Sequence, residues 1–139
     1  MSATGVATFS SAGLAVGSHS LTAQYMASTD FKASTSSALA HKVVRAGTKT
    51  SLQVSPNPAK KGQVVTLIAH VTPKYFGTLA GTVTFKNGTQ ILGTATIVSN
   101  QATFTTSTLA VGTHSLTAAY GGNAQFNKST SAVVKEVIQ

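Results

Sequence analysis

The sequence of 139 residues predicts an all-β fold, in which a β-sandwich of about seven antiparallel strands follows a partial, three-strand copy of the same repeat. Apolar residues alternate with polar ones in short runs that Gly, Pro, Asn and Ser interrupt, a pattern typical of sandwich strands. No segment of helix length carries apolar residues at the 3.6-residue period of a helix. An internal repeat of sandwich size supports the same prediction.

The repeat relates the two ends of the chain by an offset of 95 residues and needs no gap. It places Ala7-Thr8-Phe9 on Ala102-Thr103-Phe104 and continues through the rest of the shorter copy. We therefore predict a complete module over residues 46–139 and the second half of another over residues 1–45. The simplest interpretation is that the chain is a fragment of a longer tandem array.

The first three strands of the complete module follow from alternation and from turn residues. Thr50–Val54 is the first, because two prolines follow it and proline cannot donate to a β-ladder. Gln63–Val71 is the second, and its strict alternation indicates that one face lies in the core. Residues 74–79 are predicted to form a loop, and Gly81–Lys86 the third strand.

A tight hairpin is predicted after the third strand. Asn87-Gly88 are expected to be the central residues of a type I′ turn, since both positions of that turn need positive φ. Gln90–Val98 then forms one strand or a pair of strands, kinked at Gly93. Ser99-Asn100 turns into the next strand, Gln101–Thr106.

The last two predicted strands are His114–Tyr120 and approximately Lys128–Ile138. By the offset, the partial copy has counterparts only of the last three strands, at Val6–Ser10, His19–Tyr25 and Thr35–Val44. It has no counterpart of the first strands, so an apolar face and two hydrogen-bonding edges lack cover. We expect the partial copy to be marginally stable, docked within its own chain, strand-swapped, or paired with another chain.

The charge balance is basic, with ten Lys and Arg residues against two acidic ones and a formal net charge of +8. The basic residues are spread along the chain, and only Lys60-Lys61 are adjacent. Such a distribution keeps a surface soluble and blunts sheet edges. No basic cluster is interleaved with aromatic residues, so specific binding of nucleic acid is not predicted.

The residue inventory argues against catalysis. Asp30 and Glu136 are the only carboxylates and fall in different copies, so neither copy holds an acid–base pair, and we predict no enzyme activity and no cofactor. The lack of Cys and of histidine pairs at ligand spacing predicts no metal site. No apolar run is long enough to cross a bilayer, so membrane insertion is not predicted.

A known pattern emerges from Gly81–Phe85, Asn87-Gly88, Leu92–Thr96, Leu109–Gly122 and Phe126. These segments resemble the bacterial Ig-like domains that stand in tandem in large secreted and cell-surface proteins. The resemblance covers residues 47–139, and the partial copy resembles the second half of the same pattern. It implies an Ig-like β-sandwich, an extracellular or cell-surface location, neighbouring Ig-like repeats as partners, and no shared catalytic residues.

Several residues are expected to have structural roles. His19 and His114 begin equivalent strands, and each is expected to bond the nearby turn. Tyr25 and Tyr120 lie near the ends of those strands, where the hydroxyl is expected to bond backbone at a sheet corner, as in Ig-like folds. Gly112 is expected to need positive φ.

The loop after the second strand carries the candidate ligand contacts. Tyr75 and Phe76, flanked by Lys74, are expected to be the most exposed aromatic pair, able to stack on a sugar ring or touch a partner. The leading hypothesis for function is a non-enzymatic extracellular Ig-like repeat that acts as a spacer or adhesion stalk. The alternatives are a module that binds surface polysaccharide or another polyanion, a module whose partial copy exchanges strands with another copy of the chain, and an accessory domain of an enzyme.

Overall fold

A computed structural model describes residues 5–139, and the chain divides into two compact units between Val44 and Arg45. Unit 1 is the part up to Val44, and unit 2 is Arg45–Gln139. The boundary predicted from the sequence lies one residue later. All regular secondary structure in the described part of the chain is β-strand.

Twelve strands occur along residues 5–139, four in unit 1 and eight in unit 2. Their bounds are β1 (Gly17–Leu21), β2 (Gln24–Tyr25), β3 (Ser34–Thr35), β4 (Leu39–Val43), β5 (Thr48–Ser55), β6 (Val65–Pro73), β7 (Thr82–Asn87), β8 (Gln90–Thr96), β9 (Gln101–Thr106), β10 (Gly112–Tyr120), β11 (Ser129–Thr130) and β12 (Val134–Ile138).

Unit 2 is a sandwich of two antiparallel sheets, which confirms the predicted fold class. One sheet has the order β5-β6-β9, and the other has the order β11-β10-β7-β8, with β12 also pairing with β10. The core lies between the two inner faces. Along β6 the apolar residues Val65, Leu67, Ala69 and Val71 are all buried, as the alternation predicted.

Aromatic packing ties the two sheets together. The rings of Phe85 on β7 and Phe104 on β9 stack with centroids 5.6 Å apart, and Phe85 is fully buried. Burying a side chain of this size contributes about 1.5–3 kcal/mol, and an aromatic pair adds about 1 kcal/mol. Packing of this kind holds a module that has no cysteine to cross-link it.

The hairpin between β7 and β8 differs from the predicted one. Asn87 pairs with Gln90, so the central residues are Gly88 and Thr89, and only Gly88 has positive φ, at 59°. Glycine at the first central position is the signature of a type II′ turn. The predicted type I′ turn at Asn87-Gly88 was therefore wrong, because the Asn87 side chain is held by β10 and its backbone belongs to the ladder.

The next turn, by contrast, fits the type I′ pattern. Ser99 and Asn100 both have positive φ, at 50° and 64°. The flanking residues Val98 and Gln101 exchange both backbone hydrogen bonds, at 2.8 and 3.0 Å. The predicted turn at this point is confirmed, and it supplies the tight entry into β9.

Unit 1 retains the pairing of the last strands of a repeat. β1 pairs with β4 and β2 with β3, in antiparallel registers that match those of β10 with β12 and β11 under the offset of 95. The long strand β10 is replaced here by β1 and β2, with a break at Thr22-Ala23, so the single strand predicted over His19–Tyr25 is interrupted.

The strand predicted at Val6–Ser10 does not form. Its equivalent in unit 2 is β9, which is held by six cross-strand pairs with β6. Unit 1 contains no counterpart of β6 among residues 5–44. An alternating sequence becomes a strand only where a neighbour supplies the ladder, so this prediction was wrong for lack of the partner strand.

Candidate functional site

The chain enters and leaves unit 2 at opposite ends of the sandwich. At one end the Ala46 amide donates to the Gln125 carbonyl at 2.8 Å, and at the other the Gln139 amide donates to the Ala59 carbonyl at 2.9 Å. The bridges beside these bonds are both parallel, so the first strand runs alongside the last segments of the chain in the same direction. The eight residues of β5 span about 26 Å between the two ends.

Polar side chains join the first strand to the last ones. The Oγ of Ser129 on β11 lies 2.7 Å from the Oγ1 atoms of both Thr48 and Thr50 on β5. The Thr48 hydroxyl also donates to the Asn127 carbonyl at 2.8 Å. Thr50 is buried, so its hydrogen bond is shielded from water. We call Thr48, Thr50, Asn127 and Ser129 the β5–β11 seam.

The other end of the module is closed by an asparagine. Asn57, in the turn after β5, donates through Nδ2 to the Lys135 carbonyl at 2.7 Å and accepts from the Val137 amide at 3.3 Å. The loop after β5 is thus bonded to β12. Both ends of β5 are attached to the last segments of the chain, so the seam and Asn57 together connect the entry and exit of unit 2.

His114 lies in a hydrogen-bond network with Asn87. Its Nε2 is 2.7 Å from the Ala110 carbonyl and its Nδ1 is 2.8 Å from the Asn87 Nδ2, while the Asn87 Oδ1 accepts from the Ser115 amide at 3.2 Å. This pattern is satisfied by an imidazole that donates from Nε2 and accepts at Nδ1. The corresponding contact of His19, Nε2 to the Ala15 carbonyl, is also 2.7 Å.

The two tyrosines have different partners. The Tyr120 hydroxyl donates to the Ala80 carbonyl at 2.9 Å, just before β7, and burial raises the pKa of Tyr120. The Tyr25 hydroxyl instead donates to the Ser28 Oγ at 3.2 Å, because unit 1 has no counterpart of Ala80. Gly112, at the start of the strand that ends with Tyr120, has a φ of 134°.

Ser131 is a structural residue that the sequence analysis missed. Its buried Oγ accepts from the Ala118 amide at 3.0 Å and donates to the Ala132 carbonyl at 2.8 Å. Ser36 makes the equivalent two hydrogen bonds in unit 1, at 3.0 and 2.9 Å. The recurrence of serine at both positions under the offset of 95 was the signal that could have identified it.

Glu136 is a second residue that the sequence analysis did not place. It is fully buried on β12, and neither carboxyl oxygen has a hydrogen-bond partner among the described residues. Burial raises the pKa of the Glu136 carboxyl, and the nearby His114 opposes that effect. Its counterpart in unit 1 is His41, so the repeat carried no signal for a buried acid here.

His114 and Glu136 lie opposite each other on adjacent strands, but among residues 5–139 no hydroxyl group is hydrogen-bonded to His114. The neighbouring Ser115 points to the other face of the sheet from His114, since side chains alternate along a strand. Its Oγ accepts from the Lys135 Nζ at 2.6 Å. The arrangement therefore lacks the serine–histidine bond that nucleophilic catalysis of this kind requires.

The aromatic loop lies at the end of unit 2 where the chain enters. Phe76 is fully exposed, Tyr75 is exposed, and the Lys74 Nζ lies 5.6 Å from the centroid of the Tyr75 ring. These residues line a shallow groove of about 310 Å³. The remaining lining residues are Pro73, Gly77 and Asn100.

Within residues 5–139 no group of three or more His, Asp or Glu side chains is placed to hold a metal ion. The same part of the chain has no helix of the length and hydropathy needed to span a membrane.

The two-sheet fold and the hydrogen bonds that join its first and last strands define an Ig-like β-sandwich module. The sequence profile of the family described as bacterial Ig-like domain (group 3) matches residues 52–139, and the chain belongs to this family. Domains of this kind are structural and generally not catalytic, and they are typically extracellular.

A solved structure shares the fold. It contains fibronectin(III)-like modules of CbhA from Clostridium thermocellum, and it aligns with 91% of this chain at a TM-score of 0.52 and 15% identity. The alignment covers 63% of that chain, so this chain spans less than two thirds of its length. No curated protein sequence matches this chain.

Proposed function

We propose that the chain acts as an extracellular spacer, a repeat module of an adhesion stalk or a similar surface or secreted protein. The observation that carries this proposal is the entry and exit of unit 2 at opposite ends of the sandwich, beside Ala46 and Ile138. Modules joined in this way add length in one direction. The neighbouring partners are then further Ig-like repeats.

The same geometry suits a module under tension. A force between the two ends of unit 2 acts along β5, at right angles to the hydrogen bonds that join β5 to β6. All eight residues of β5 pair with β6, so the force is shared by all the hydrogen bonds between these strands and does not break them one pair at a time. The β5–β11 seam adds partly buried side-chain hydrogen bonds to the same load path.

Single-molecule pulling tests the proposal directly. Because the chain has no cysteine, the handles can be introduced cleanly as Arg45→Cys with Gln139→Cys. The comparison geometry is Arg45→Cys with Lys74→Cys, which opens β5 from β6 at one end, since the Lys74 amide bonds Gly47 there. We expect a severalfold higher unfolding force from end to end, and equal forces in the two geometries would contradict the spacer proposal.

A matched pair of substitutions tests the role of the seam. Thr50→Val removes a partly buried hydrogen bond to Ser129 and is expected to lower the end-to-end unfolding force. Thr105→Val changes an exposed threonine on β9 and is expected to leave that force unchanged. A similar loss in both variants would show that the seam carries no special load.

A second candidate function is the binding of a surface polysaccharide or another anionic polymer. It is favoured by the full exposure of Phe76 beside Tyr75 and the groove that these rings line with Lys74. Exposed aromatic rings stack on sugar faces, and the net charge of +8 attracts acidic polymers.

Retention on immobilised polysaccharide separates the loop from simple charge attraction. The double substitution Tyr75→Ala and Phe76→Ala is expected to abolish retention, whereas Lys60→Gln with Lys61→Gln, which lowers the charge away from this loop, is expected to weaken it only slightly. Retention that ignores the aromatic substitutions and disappears at modest salt would reduce the interaction to screened charge.

A further inference from the structure

The apolar residues of unit 1 are exposed where their equivalents in unit 2 are buried. Leu116 is fully buried, whereas Leu21, 95 residues earlier, is 38% exposed. Phe126 is 3% exposed and its equivalent Phe31 is 69% exposed. Residues of the same type at the same repeat position therefore differ only in what surrounds them.

In unit 2 the cover over these positions comes from the first half of the repeat. The Phe126 ring packs directly against Gly77, where an added Cβ would lie 2.6 Å from the ring. β10 pairs with β7 over Leu116–Tyr120, and the Tyr120 hydroxyl donates a hydrogen bond to the Ala80 carbonyl. Each covering element lies between β5 and β8, and none of these strands has an equivalent among residues 5–44.

The part of unit 1 that would receive this cover is already formed. Leu21 pairs with Leu39, as Leu116 pairs with Val134. The side-chain hydrogen bonds of His19 and Ser36 also match those of their equivalents in unit 2, to within 0.1 Å. Residues 5–44 thus contain this backbone framework and do not contain the half that buries its apolar side in unit 2.

We propose that unit 1 is a docking surface for one occupant, the first half of an Ig-like repeat equivalent to residues 45–95. The occupant would pair with β1 and β2 as β7 pairs with β10, and would cover Leu21 and Phe31. A second copy of this chain is a poor occupant, because its own first half is already paired with its own β9 and β10. The inference does not depend on the spacer function.

The experiment supplies the missing half in register. A duplicate of residues 45–95 is placed directly before Met1 of the full chain, since residue 95 precedes the equivalent of Met1 in the repeat. Hydrogen exchange is followed at the amides of β1 and β4, with those of β10 and β12 as the internal reference. We expect protection of β1 and β4 to rise by about a hundredfold or more towards the reference values.

A control variant carries Phe85→Asp in the duplicated segment only, which places a charge at a position that is fully buried in unit 2. It is expected to leave β1 and β4 as weakly protected as in the parent chain. A second variant, Phe31→Ala, is expected to lower their protection in the extended chain and to change little in the parent chain.

Two outcomes would overturn the proposal. One is an extended chain in which β10 and β12 keep their protection while β1 and β4 gain none. The other is a parent chain that light scattering shows to be a dimer and whose β1 and β4 amides are already protected, because the occupant would then be a second copy.

Discussion

Glu136 places an ionisable group inside an apolar layer, with Val134 and Ile138 beside it on the core-facing side of β12. Its carboxyl oxygens have no hydrogen-bond partner among the described residues, so the ionised form is poorly compensated. The raised pKa means that this group favours the folded state only when it is protonated. That contribution is complete below the ordinary pKa of glutamate, about 4.3, and is lost as the pH rises through the higher value in the folded protein.

Glu136→Gln is expected to raise the free energy of unfolding at about pH 7 by about 1 kcal/mol or more and to change it little near pH 4. The substitution keeps the shape of the side chain and removes the charge. Urea denaturation across this pH range measures the difference between variant and parent. Asp30→Asn, at the exposed carboxylate of unit 1, is the control and should leave the free energy of unfolding unchanged at both ends of this pH range. Parallel pH curves for Glu136→Gln and the parent would contradict the assignment.

Ser131 and Ser36 form a matched pair for testing a repeated hydrogen bond. Ser131→Ala leaves the Ala118 amide unpaired in a buried site and should destabilise unit 2 by about 1–3 kcal/mol. Ser36→Ala removes the same bonds where water can replace them, so it should cost much less. Denaturation with urea measures the first variant, and hydrogen exchange at β2 and β3 measures the second. Equal and small effects would mean that the buried bond contributes little.

The repeat explains which residues sequence reasoning could identify. His19 and His114 recur, and the structure gives both the same contact at 2.7 Å. Tyr25 and Tyr120 recur equally, yet they have different partners, because the Ala80 carbonyl comes from the half that unit 1 lacks. Glu136 does not recur, and only its spacing from Val134 and Ile138, which share its face of β12, indicates that it points inward.

At the scale of elements, the tight turn between β7 and β8 offers a clean test. Gly88→Ala should destabilise unit 2 by about 1 kcal/mol, because alanine at a φ of 59° is strained. An added Cβ there meets no atom of another part of the fold within 4 Å, so the cost comes from the local backbone conformation alone. Thr89→Ala changes the other central position, which has no positive φ, and should be near neutral. Thermal denaturation of both variants measures the contrast, and a neutral Gly88→Ala would contradict the type II′ assignment.

Alternation predicted most elements of unit 2 well, because each strand there has the neighbour that its pattern assumes. The single last strand predicted over Lys128–Ile138 was wrong, because the chain breaks after Thr130 into β11 and β12, which pair with different parts of β10. Gln101–Thr106 was placed to the residue, and β9 is held by β6 over its whole length. The equivalent stretch Val6–Ser10 carries a similar pattern and forms no strand. Alternation predicts which face of a strand would be buried. The backbone hydrogen bonds that form the strand depend on a partner strand far away in the chain.

At the scale of the whole molecule, the two units are expected to make very different contributions to cooperative unfolding. Unit 2 contains a continuous core, whereas unit 1 exposes large apolar side chains such as Phe9 and Phe31. Cooperative unfolding needs a buried core, so unit 1 should add little heat to the transition. Globular proteins absorb about 0.7 kcal/mol per residue on unfolding near 60 °C.

Calorimetry of the full chain should therefore show one transition of about 65 kcal/mol, the value for a domain the size of Arg45–Gln139, and not the value near 95 kcal/mol for the whole chain. A chain that starts at Arg45 is the control and should give the same enthalpy and the same midpoint. If the full chain absorbs the larger heat in one transition, unit 1 is folded cooperatively with a core that it does not itself supply. Light scattering at the same concentration would then show whether a second copy supplies that core.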